Sequence, residues 1–386
     1  MIDDFVVSCL EIDLDQLGNN IRSIRSNIKP ETLIMAMIKA DAYGQGAVVT
    51  SNVLIENGVD RLGVASLYEA LELRKYYKHI PLQIMGYVPI ESYSIVLEKD
   101  IIQTVYNYEQ ALKLSRIASE MKKNAVIHIK INTNLNRLGF NIDSKSRQII
   151  SRIYKLPNLY VEGIFTHFAS ADNQSINLAY EKFCNFIEAL EKVNVNIPIK
   201  HCSGGAAILG YPKMNLDMIR PGSVVFGLQS SGRRNITKIA VKPIMTFKSK
   251  IIQIRTVKKG EGIGYSATYI ADNDRVVAIV PLGYADGLSR YLSNNGRVLV
   301  NGIYGIIVGR ICMDQCMIDI TKIPSAKEGD EVVFIGVQGK NKITIDEVSR
   351  AAGTNNDDII CGFGKRLIKV YKKQGKIVNI KNCLRD

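Results

Sequence analysis

Lys39 follows a stretch of sequence whose residue types point to covalent chemistry. The run before it, residues 32–38, is uncharged and rich in β-branched and apolar types, and A-D-A-Y-G-Q-G comes directly after it. A continuous apolar run closed by glycines is typical of a strand buried on both faces of a parallel sheet. Lys39 would then lie at the C-terminal edge of that sheet, where α/β folds place their catalytic groups. A desolvated lysine can act as an amine nucleophile or base, whereas a solvated surface lysine is the alternative.

Two glycine-containing loops later in the chain are suited to binding a phosphate. They are S-G-G-A-A, residues 203–207, and R-P-G-S, residues 220–223. Adjacent glycines let backbone N–H groups close on a phosphate, and a following helix N-terminus adds a favourable dipole. Tight turns explain each loop equally well when it is taken alone. Together with a lysine able to form an imine and with Arg220 at a strand end, the loops have the chemistry that pyridoxal phosphate requires.

The pattern of apolar runs predicts the fold that positions these residues. A short strand is predicted at 5–12 and a helix at 13–28, with Asp13 as its N-cap. After the strand that precedes Lys39, seven more apolar runs alternate with mostly helical segments, such as 66–77, 108–122 and 176–193. The runs lie near 61–65, 80–85, 101–105, 125–131, 159–166, 198–202 and 216–226. Eight strand–helix units favour a (β/α)8 TIM barrel over residues 1–235, and a doubly wound open sheet is the alternative.

The sequence after the S-S-G-R-R-N linker at 230–235 predicts a second domain. Short β-like runs alternate there with glycine-containing turns, and only 344–352 and 358–367 have helical spacing. The β-like runs are 244–257, 275–281, 297–300, 303–308, 315–320 and 330–335. We therefore predict a C-terminal, mostly β domain over residues 236–386, to which residues 1–12 could add a strand.

The composition is that of a globular chain able to bury a large core. Its 386 residues, 46% hydrophobic and 23% charged, can bury the cores of two or three domains. The apolar runs are too short for a membrane span, and acids stand where a signal peptide needs bases, which predicts a cytoplasmic location. The seven cysteines are scattered like reduced thiols, without metal-site spacing. The net charge of +13 is dispersed among acids, so neither a nucleic-acid nor a membrane partner is predicted.

Six motifs, in order and with matching spacing, resemble those of the alanine racemase family, whose fold is type III among pyridoxal phosphate enzymes. They are I-K-A-D-A-Y-G at 38–44, N-R-L-G-F at 136–140, T-H-F-A at 166–169, R-P-G at 220–222, P-L-G-Y-A-D-G at 281–287 and G-R-I-C-M-D-Q at 309–315. The resemblance extends over nearly the whole chain. It implies an amino-acid racemase that interconverts L- and D-alanine with pyridoxal 5'-phosphate and supplies the D-amino acid for peptidoglycan. It also implies a head-to-tail homodimer with shared active sites.

The resemblance further implies a two-base mechanism. Lys39 would bind the cofactor and move a proton on one face of the substrate, while Tyr265 of the partner subunit would act on the opposite face. A phenol gives up its proton reluctantly at neutral pH, and the resemblance assigns help to His167, linked to Arg220; a buried structural histidine is the alternative. Arg220 would face the pyridine nitrogen, and because an arginine can only donate, it would weaken the ring as an electron sink. That effect suits racemisation better than transamination or decarboxylation.

Other residues are assigned to cofactor and substrate by the same resemblance. Arg137 would contact the cofactor's phenolic oxygen and the substrate carboxylate, where a bidentate fork fits. Lys130 matches a lysine that is carbamylated in many relatives, and the resulting anion would orient Arg137; a plain lysine paired with an acid is the alternative. The residues implied in phosphate binding are Tyr43, Gly205, Gly222 and Ser223. Those implied at the pocket and its entrance are Tyr284, Met313, Arg290, Arg310, Asp172 and Asp314.

Two positions depart from the family pattern. Relatives usually carry Asn-Ser where this chain has Gly204 and Gly205, so a hydroxyl contact to the phosphate is missing. Asp357 stands where most relatives place a tyrosine that touches the phosphate and narrows the pocket. An ionised aspartate would be repelled by phosphate, so it must turn away, be protonated or lie on a shifted loop. The hypothesis is a roomier substrate pocket and, as an alternative function, a serine or broad-specificity racemase; a fold-type III decarboxylase and a non-catalytic cofactor carrier are more distant alternatives.

Overall fold

A computed structural model describes residues 6–169, 172–228 and 239–382 of the chain. The described residues divide into two compact units. The barrel unit contains 18–42 and 47–241 with the gaps just given, and the β unit contains 6–17, 43–46 and 242–382. The predicted linker at 230–235 and the predicted strand residue at position 5 lie outside the described residues.

The barrel unit is built on eight parallel strands that form one sheet. The strands are Leu33–Met37, Arg61–Val64, Leu82–Ile84, Ile102–Val105, Ala125–Lys130, Leu159–Phe165, Ile199–His201 and Met218–Ile219. The eighth strand pairs in parallel with the first, which brings the sheet round on itself. The seventh and eighth strands are joined through the bridge between Gly204 and Arg220 and the N–H of Arg220 on the carbonyl of Ser203 at 3.0 Å. This nearly closed ring confirms the predicted (β/α)8 barrel.

Helices follow the barrel strands, and polar N-caps fix where most of them begin. Asn107 and Asp143 each accept a backbone N–H of the first helical turn, and Ser66 forms a capping box with Glu69. The α-helices are Ala47–Glu56, Leu67–Tyr76, Tyr93–Glu98, Tyr108–Glu120, Ser144–Tyr154, Asn173–Glu191 and Gly205–Gly210. Short 3-10 turns lie at Ile90–Ser92, Pro212–Met214 and Ser223–Phe226. No helix of the described residues is long and apolar enough to cross a membrane.

The predicted long strand at 216–226 is wrong beyond its first residues. Only Met218–Ile219 is extended in the sheet, and Ser223–Phe226 is a 3-10 helix. Pro221 lacks the N–H that a central strand must donate, so the chain leaves the sheet there. The buried apolar side chains of 224–226 gave the same periodic signal as a buried strand.

The β unit contains an eleven-stranded sheet that includes the N-terminal strand Cys9–Asp13. That strand runs antiparallel to Met245–Lys250 and parallel to Ile368–Lys373. The other strands of this sheet are Gln253–Val257, Arg275–Val280, Arg297–Val300, Ile303–Ile307, Cys316–Asp319, Glu331–Gln338, Asn341–Ile343 and Lys376–Lys381. A separate two-stranded ribbon pairs Gly262–Ile263 with Tyr269–Ile270. The mostly β character is therefore confirmed.

One helix is shared by the two units, and the helices that lie wholly in the β unit are short. The shared helix is Leu14–Arg25, which begins at the predicted N-cap Asp13, whose side chain accepts the N–H of Gln16 at 2.9 Å. Ile345–Ala351 agrees with the predicted helix at 344–352, whereas the helix predicted at 358–367 is wrong in its extent. The helix observed is Asn356–Cys361, because Gly362 and Gly364 interrupt it. Short 3-10 turns lie at Tyr265–Ala267, Tyr284–Asp286 and Arg290–Leu292.

Candidate active site

Lys39 lies just beyond the first barrel strand, at the C-terminal rim. Its neighbours Ala40, Asp41 and Ala42 have φ angles of 53°, 52° and 56°, the left-handed region that L-residues rarely adopt. Such a conformation costs roughly 1–2 kcal/mol per residue. Two bonds offset that strain: the N–H of Ala40 donates to Glu69 at 2.7 Å, and the Asp41 carboxylate accepts the N–H of residue 47 at 2.7 Å. The turn leaves Lys39 exposed at the rim.

Arg220 is the buried cation of the site. Its side chain donates to His201 Nδ1 at 3.0 Å and to the carbonyls of Thr166 and Cys202 at 2.7 and 3.1 Å. The guanidinium also lies over the Phe165 ring, 5.4 Å from its centre. Burial lowers the pKa of Arg220 to about 10, so it remains charged at neutral pH. The three acceptors that this 4% exposed arginine binds among the described residues are neutral, which favours an electron-rich ligand beside it.

His201 begins a chain of hydrogen bonds that runs back through the barrel. Its Nε2 lies 2.8 Å from His128 Nδ1, and His128 Nε2 lies 2.9 Å from Glu162. Arg61 holds the Glu162 carboxylate with two bonds, at 2.5 and 3.1 Å. Burial opposes ionisation of Glu162, but the bonds from His128 and Arg61 outweigh it and lower its pKa to about 2. Burial lowers the pKa of His128 and of His201, so both rings are neutral.

Lys130 ends the fifth barrel strand and is 4% exposed. Its Nζ lies 4.9 Å from the centre of the Phe165 ring. Burial, together with the charges of Arg220 and Arg137, lowers the pKa of Lys130 to about 7. The charges acting on this lysine are both positive, and none of the ion pairs found among the described residues includes it. About half of the Lys130 amines are therefore uncharged at neutral pH.

Arg137 is carried by a loop that is bonded across the end of the Lys130 strand. The N–H of Phe140 donates to the carbonyl of Lys130 at 2.9 Å, and the N–H of Asn136 donates to the side chain of Asn132 at 2.9 Å. Gly139 has a φ of 126°, and a Cβ there would lie 2.7 Å from the backbone nitrogen of Asn132. The N-R-L-G-F motif therefore needs this glycine to present Arg137 at the rim.

His167 follows the sixth barrel strand, and part of its ring is exposed. Its enclosed side and the charges of Arg220, Lys130, Arg137 and Lys39 lower the pKa of His167 below its usual range. A neutral imidazole can accept a proton at one nitrogen and donate from the other. The same charges show that the predicted Lys39, Lys130, Arg137 and Arg220 converge on His167. The structure thus brings five predicted residues together at one rim.

The two glycine loops lie side by side at the same rim. The bridge between Gly204 and Arg220 joins them, and the helix that begins at Gly205 has no side-chain cap for the N–H groups of its first turn. A Cβ on Gly205 would meet nothing within 4 Å, so open space lies at this helix N-terminus. Gly222 precedes the 3-10 turn that starts at Ser223. The open space, the N–H groups and the buried arginine fit an anionic heteroaromatic cofactor such as pyridoxal phosphate.

Tyr43 and Asp357 are neighbours within the β unit. Burial, then the charges of Asp357 and Cys361, raise the pKa of Tyr43 above its usual range, so its hydroxyl stays protonated. Asp357 is exposed in the first turn of the helix Asn356–Cys361, where the helix dipole favours a carboxylate. The structure therefore keeps an acidic group beside a tyrosine that the sequence assigned to the phosphate.

Tyr265 projects from the tip of the two-stranded ribbon of the β unit. Ile263 and Tyr269 anchor the ribbon against a core of Val277 and Val308. The chain between these anchors contains Ser266 at φ 60°, in the left-handed region. This sharp turn leaves Tyr265 68% exposed. An exposed tyrosine on an anchored ribbon is suited to contacting a group outside its own unit.

Tyr284 and Met313 are carried by two loops of the β unit that Arg366 joins. Arg366 binds Asp286 at 2.7 Å and Asp314 at 2.7 Å, one acid from each loop. It also donates to the carbonyl of Met313 at 3.2 Å. The predicted pocket residues Tyr284 and Met313 are thus held by an arginine that the sequence analysis missed.

The residues predicted at the entrance lie in different parts of the fold. Arg290 and Arg310 line one open cavity of about 420 Å³ in the β unit, together with Thr268 and Tyr291. Asp172 lies in the barrel unit, where it caps the helix Asn173–Glu191. No group of three or more histidine, cysteine or acidic side chains able to hold a metal occurs among the described residues.

Comparisons with known proteins give the same relationship over the whole chain. Sequence profiles described as "Alanine racemase, N-terminal domain" and "Alanine racemase, C-terminal domain" match residues 12–230 and 244–371. Alanine racemase 1 of Clostridium acetobutylicum is 40% identical over 375 residues, 96% of this chain and 97% of that protein. The solved alanine racemase of Clostridium difficile 630 has a TM-score of 0.93 at 35% identity, covering 98% of this chain and 99% of its own. That of Bacillus anthracis with bound L-Ala-P has a TM-score of 0.93 at 31% identity, covering 99% of each chain.

Proposed function

Since this chain belongs to the alanine racemase family, it is an enzyme that interconverts L- and D-alanine, and we propose that it works by two bases on opposite faces of the substrate. Lys39 is the base on one face, and Tyr265 of the partner subunit is the base on the other. The observation that carries the proposal is a group of cations at one rim. Lys39 follows the first barrel strand, and the Lys130 and Arg220 side chains lie 4.9 and 5.4 Å from the centre of the same Phe165 ring.

Pyridoxal 5'-phosphate is the proposed cofactor. Lys39 would hold it as an imine, and Gly205, Gly222, Ser223 and Tyr43 would bind its phosphate through backbone N–H groups and a hydroxyl donor. When bound, the cofactor supplies a sink for the electron pair released when the Cα–H bond breaks. The open space at Gly205 and the neutral partners of Arg220 support this fit.

Different residues of the chain have separate roles in moving the proton at Cα. The Lys39 amine, exposed at the rim, takes or returns the proton on its face. Tyr265 of the partner subunit does the same on the other face, and the neutral His167 ring donates a hydrogen bond that stabilises its phenolate. Arg137 binds the substrate carboxylate through its two-pronged fork, which fixes the orientation of Cα between the two bases.

Lys130 is proposed to be carbamylated. Its neutral amine attacks CO2, a nitrogen–carbon bond forms, one carbon–oxygen electron pair moves to oxygen, and a proton leaves the nitrogen for solvent. The product is an anion close to the cations Arg137 and Arg220, which reduces the repulsion between those two charges.

Carbamylation of Lys130 is expected to increase as the pH rises through about 7, because only the uncharged amine reacts. Protein equilibrated with ¹³C-bicarbonate at pH 8 should show a carbamate carbon signal by NMR, and the signal should weaken at pH 6. Lys130→Met should abolish the signal and raise KM for alanine, because Arg137 loses its orienting anion. The exposed Lys155→Met is the matched control. An unchanged signal in Lys130→Met would reject the assignment.

A mixture of two inactive variants is expected to regain activity if the subunits share their sites. Lys39→Ala and Tyr265→Phe would each inactivate both sites of a homodimer, whereas a mixed dimer has one intact site. After random reassociation half of the dimers are mixed, so activity should return to about a quarter of that of the wild type. Activity of alanine racemisation is measured before and after mixing, with dimer exchange followed by mass spectrometry.

The matched control mixes Lys39→Ala with a chain carrying both substitutions, because no dimer in that mixture has an intact site. Recovery of activity in this control, or no recovery in the first mixture although mixed dimers form, would contradict shared sites.

Use of D-alanine for peptidoglycan and a cytoplasmic location are part of the proposal and are supported by the family alone. The comparisons offer no support for the serine, decarboxylase or carrier alternatives.

A further inference from the structure

A polar column crosses the interior of the barrel, where barrels of this type are usually packed with branched apolar side chains. It starts at Arg61, the first residue of its strand, and passes through Glu162, His128 and His201 to Arg220 at the opposite rim. Both imidazole rings have no solvent-exposed surface. A buried polar chain of this length is retained only if every member is bonded, and each link here is between 2.5 and 3.1 Å.

The two ends of the column dictate the position of every ring proton. Glu162 is ionised, so its carboxylate only accepts, and His128 must carry its proton on Nε2. His128 Nδ1 then has a lone pair and accepts from Nε2–H of His201. His201 is left with a lone pair at Nδ1, which is the acceptor that the guanidinium of Arg220 requires. The carboxylate and the guanidinium therefore set the same two tautomers from opposite ends.

The backbone around His128 is adapted to this column. The pairing of the fifth and sixth barrel strands shifts register between Ile127 and His128, an irregularity that redirects a side chain. His128 pairs with Gly163, and a Cβ at Gly163 would lie 2.7 Å from the His128 Cγ. The Phe165 ring stacks on His201 at 4.8 Å between centres. Gly163 thus leaves room for the His128 ring, and Phe165 fixes the His201 ring.

We propose that Glu162 is a positioning residue that acts through His128 and His201 to hold Arg220 as a fixed, donor-only cation against the cofactor ring. The proposal rests on the proposed function, because it assigns Arg220 to the cofactor. No proton passes along the column during turnover; it keeps one arrangement of donors. If the arrangement reversed, a His201 N–H would face an Arg220 N–H, and the guanidinium would be displaced.

The ring tautomers can be read directly, because the chain contains only four histidines. Protein labelled with ¹⁵N-histidine, with and without cofactor, gives separate NMR signals for protonated and lone-pair nitrogens. His128 and His201 should both be protonated at Nε2 only. His79→Gln assigns the signals of that surface ring by difference.

Glu162→Gln keeps the side-chain volume and the contact with Arg61 but can donate to His128 as well as accept from it. With Arg220 alone left to set the direction, both buried rings should then populate the second tautomer in part, and kcat for alanine should fall about 10- to 100-fold, as loss of an outer hydrogen-bond partner typically causes. KM for alanine should change little, because Glu162 does not contact substrate. The matched control Glu347→Gln makes the same change in a carboxylate that binds Arg297 at 2.7 Å outside the column, so the tautomers and kcat should stay as in the wild type. The melting temperatures of both variants show whether a loss of kcat results from unfolding of the protein.

Nδ1 protonation of His128 or His201 in the wild type would overturn the proposal. So would a Glu162→Gln variant with both tautomers populated and kcat within twofold of the wild type. The tautomers are measured without turnover, so an inactive wild-type protein would reject the proposed function and leave this readout intact. Glu162→Leu gives an independent check, because it removes the acceptor altogether.

Discussion

Tyr265→Phe is expected to lower kcat for alanine racemisation by about 10²- to 10⁴-fold in both directions, the usual effect of losing a positioned acid–base group. The ring keeps its shape, and its 68% exposure means that folding does not depend on the hydroxyl. Only the proton carrier on one face of the substrate is lost. Measurement in D2O separates the two bases: Lys39 should still exchange the α-proton of one enantiomer, while exchange of the other should stop.

Tyr269→Phe is the matched control, because Tyr269 belongs to the same ribbon but anchors it to the core. Its variant should retain wild-type turnover. Equal loss of exchange for L- and D-alanine in Tyr265→Phe would argue against two bases on opposite faces. Unchanged turnover in Tyr265→Phe would exclude the tyrosine from proton transfer altogether.

Gly139→Ala is expected to reduce kcat/KM for alanine about 10²-fold, because a displacement of about 1 Å in a positioning group has an effect of this size. The new Cβ would lie 2.7 Å from the backbone nitrogen of Asn132, so the loop must move. Arg137 would move with it, away from the substrate carboxylate. Initial rates over a range of alanine concentrations measure the change, and melting temperature reports folding.

Gly375→Ala is the control for backbone strain alone. Gly375 also has a left-handed φ, 72°, but a Cβ there would meet nothing within 4 Å. This variant should lose stability by roughly 1–2 kcal/mol without a change in kcat/KM. If Gly139→Ala behaves in the same way, the loop does not position Arg137.

The sequence predicted the elements whose signals are local. The run before Lys39 was predicted as a strand and is buried in the sheet, and Asp13 caps its helix as predicted. The strand predicted at 216–226 failed because apolar periodicity does not distinguish a buried strand from a buried 3-10 turn. The strands Ile368–Lys373 and Lys376–Lys381 were not predicted. The first of them pairs with the strand Cys9–Asp13, which lies far away along the chain and gives no local signal.

The sequence predicted the site residues that belong to motifs and missed those that only the packing of the barrel brings together. Lys39, Arg137, His167 and Arg220 belong to motifs, and the structure gathers them at one rim. His128, His201 and Glu162 were not predicted, because each stands alone in a strand and only the closed barrel brings them together. Arg366 was missed for the same reason, since its acids lie far along the chain. The left-handed turn after Lys39 has no signature in residues as ordinary as alanine.

The closure of the barrel has a consequence for the protein without its ligand. Its seam, between the seventh and eighth strands, depends on few backbone bonds, and residues 203–204 and 220 that make them belong to the two glycine loops. An anion bound across both loops would therefore stabilise this seam. Binding of the anion and closure of the seam are then thermodynamically linked. Without the anion, local opening of the barrel should begin at this seam, which is also the binding site.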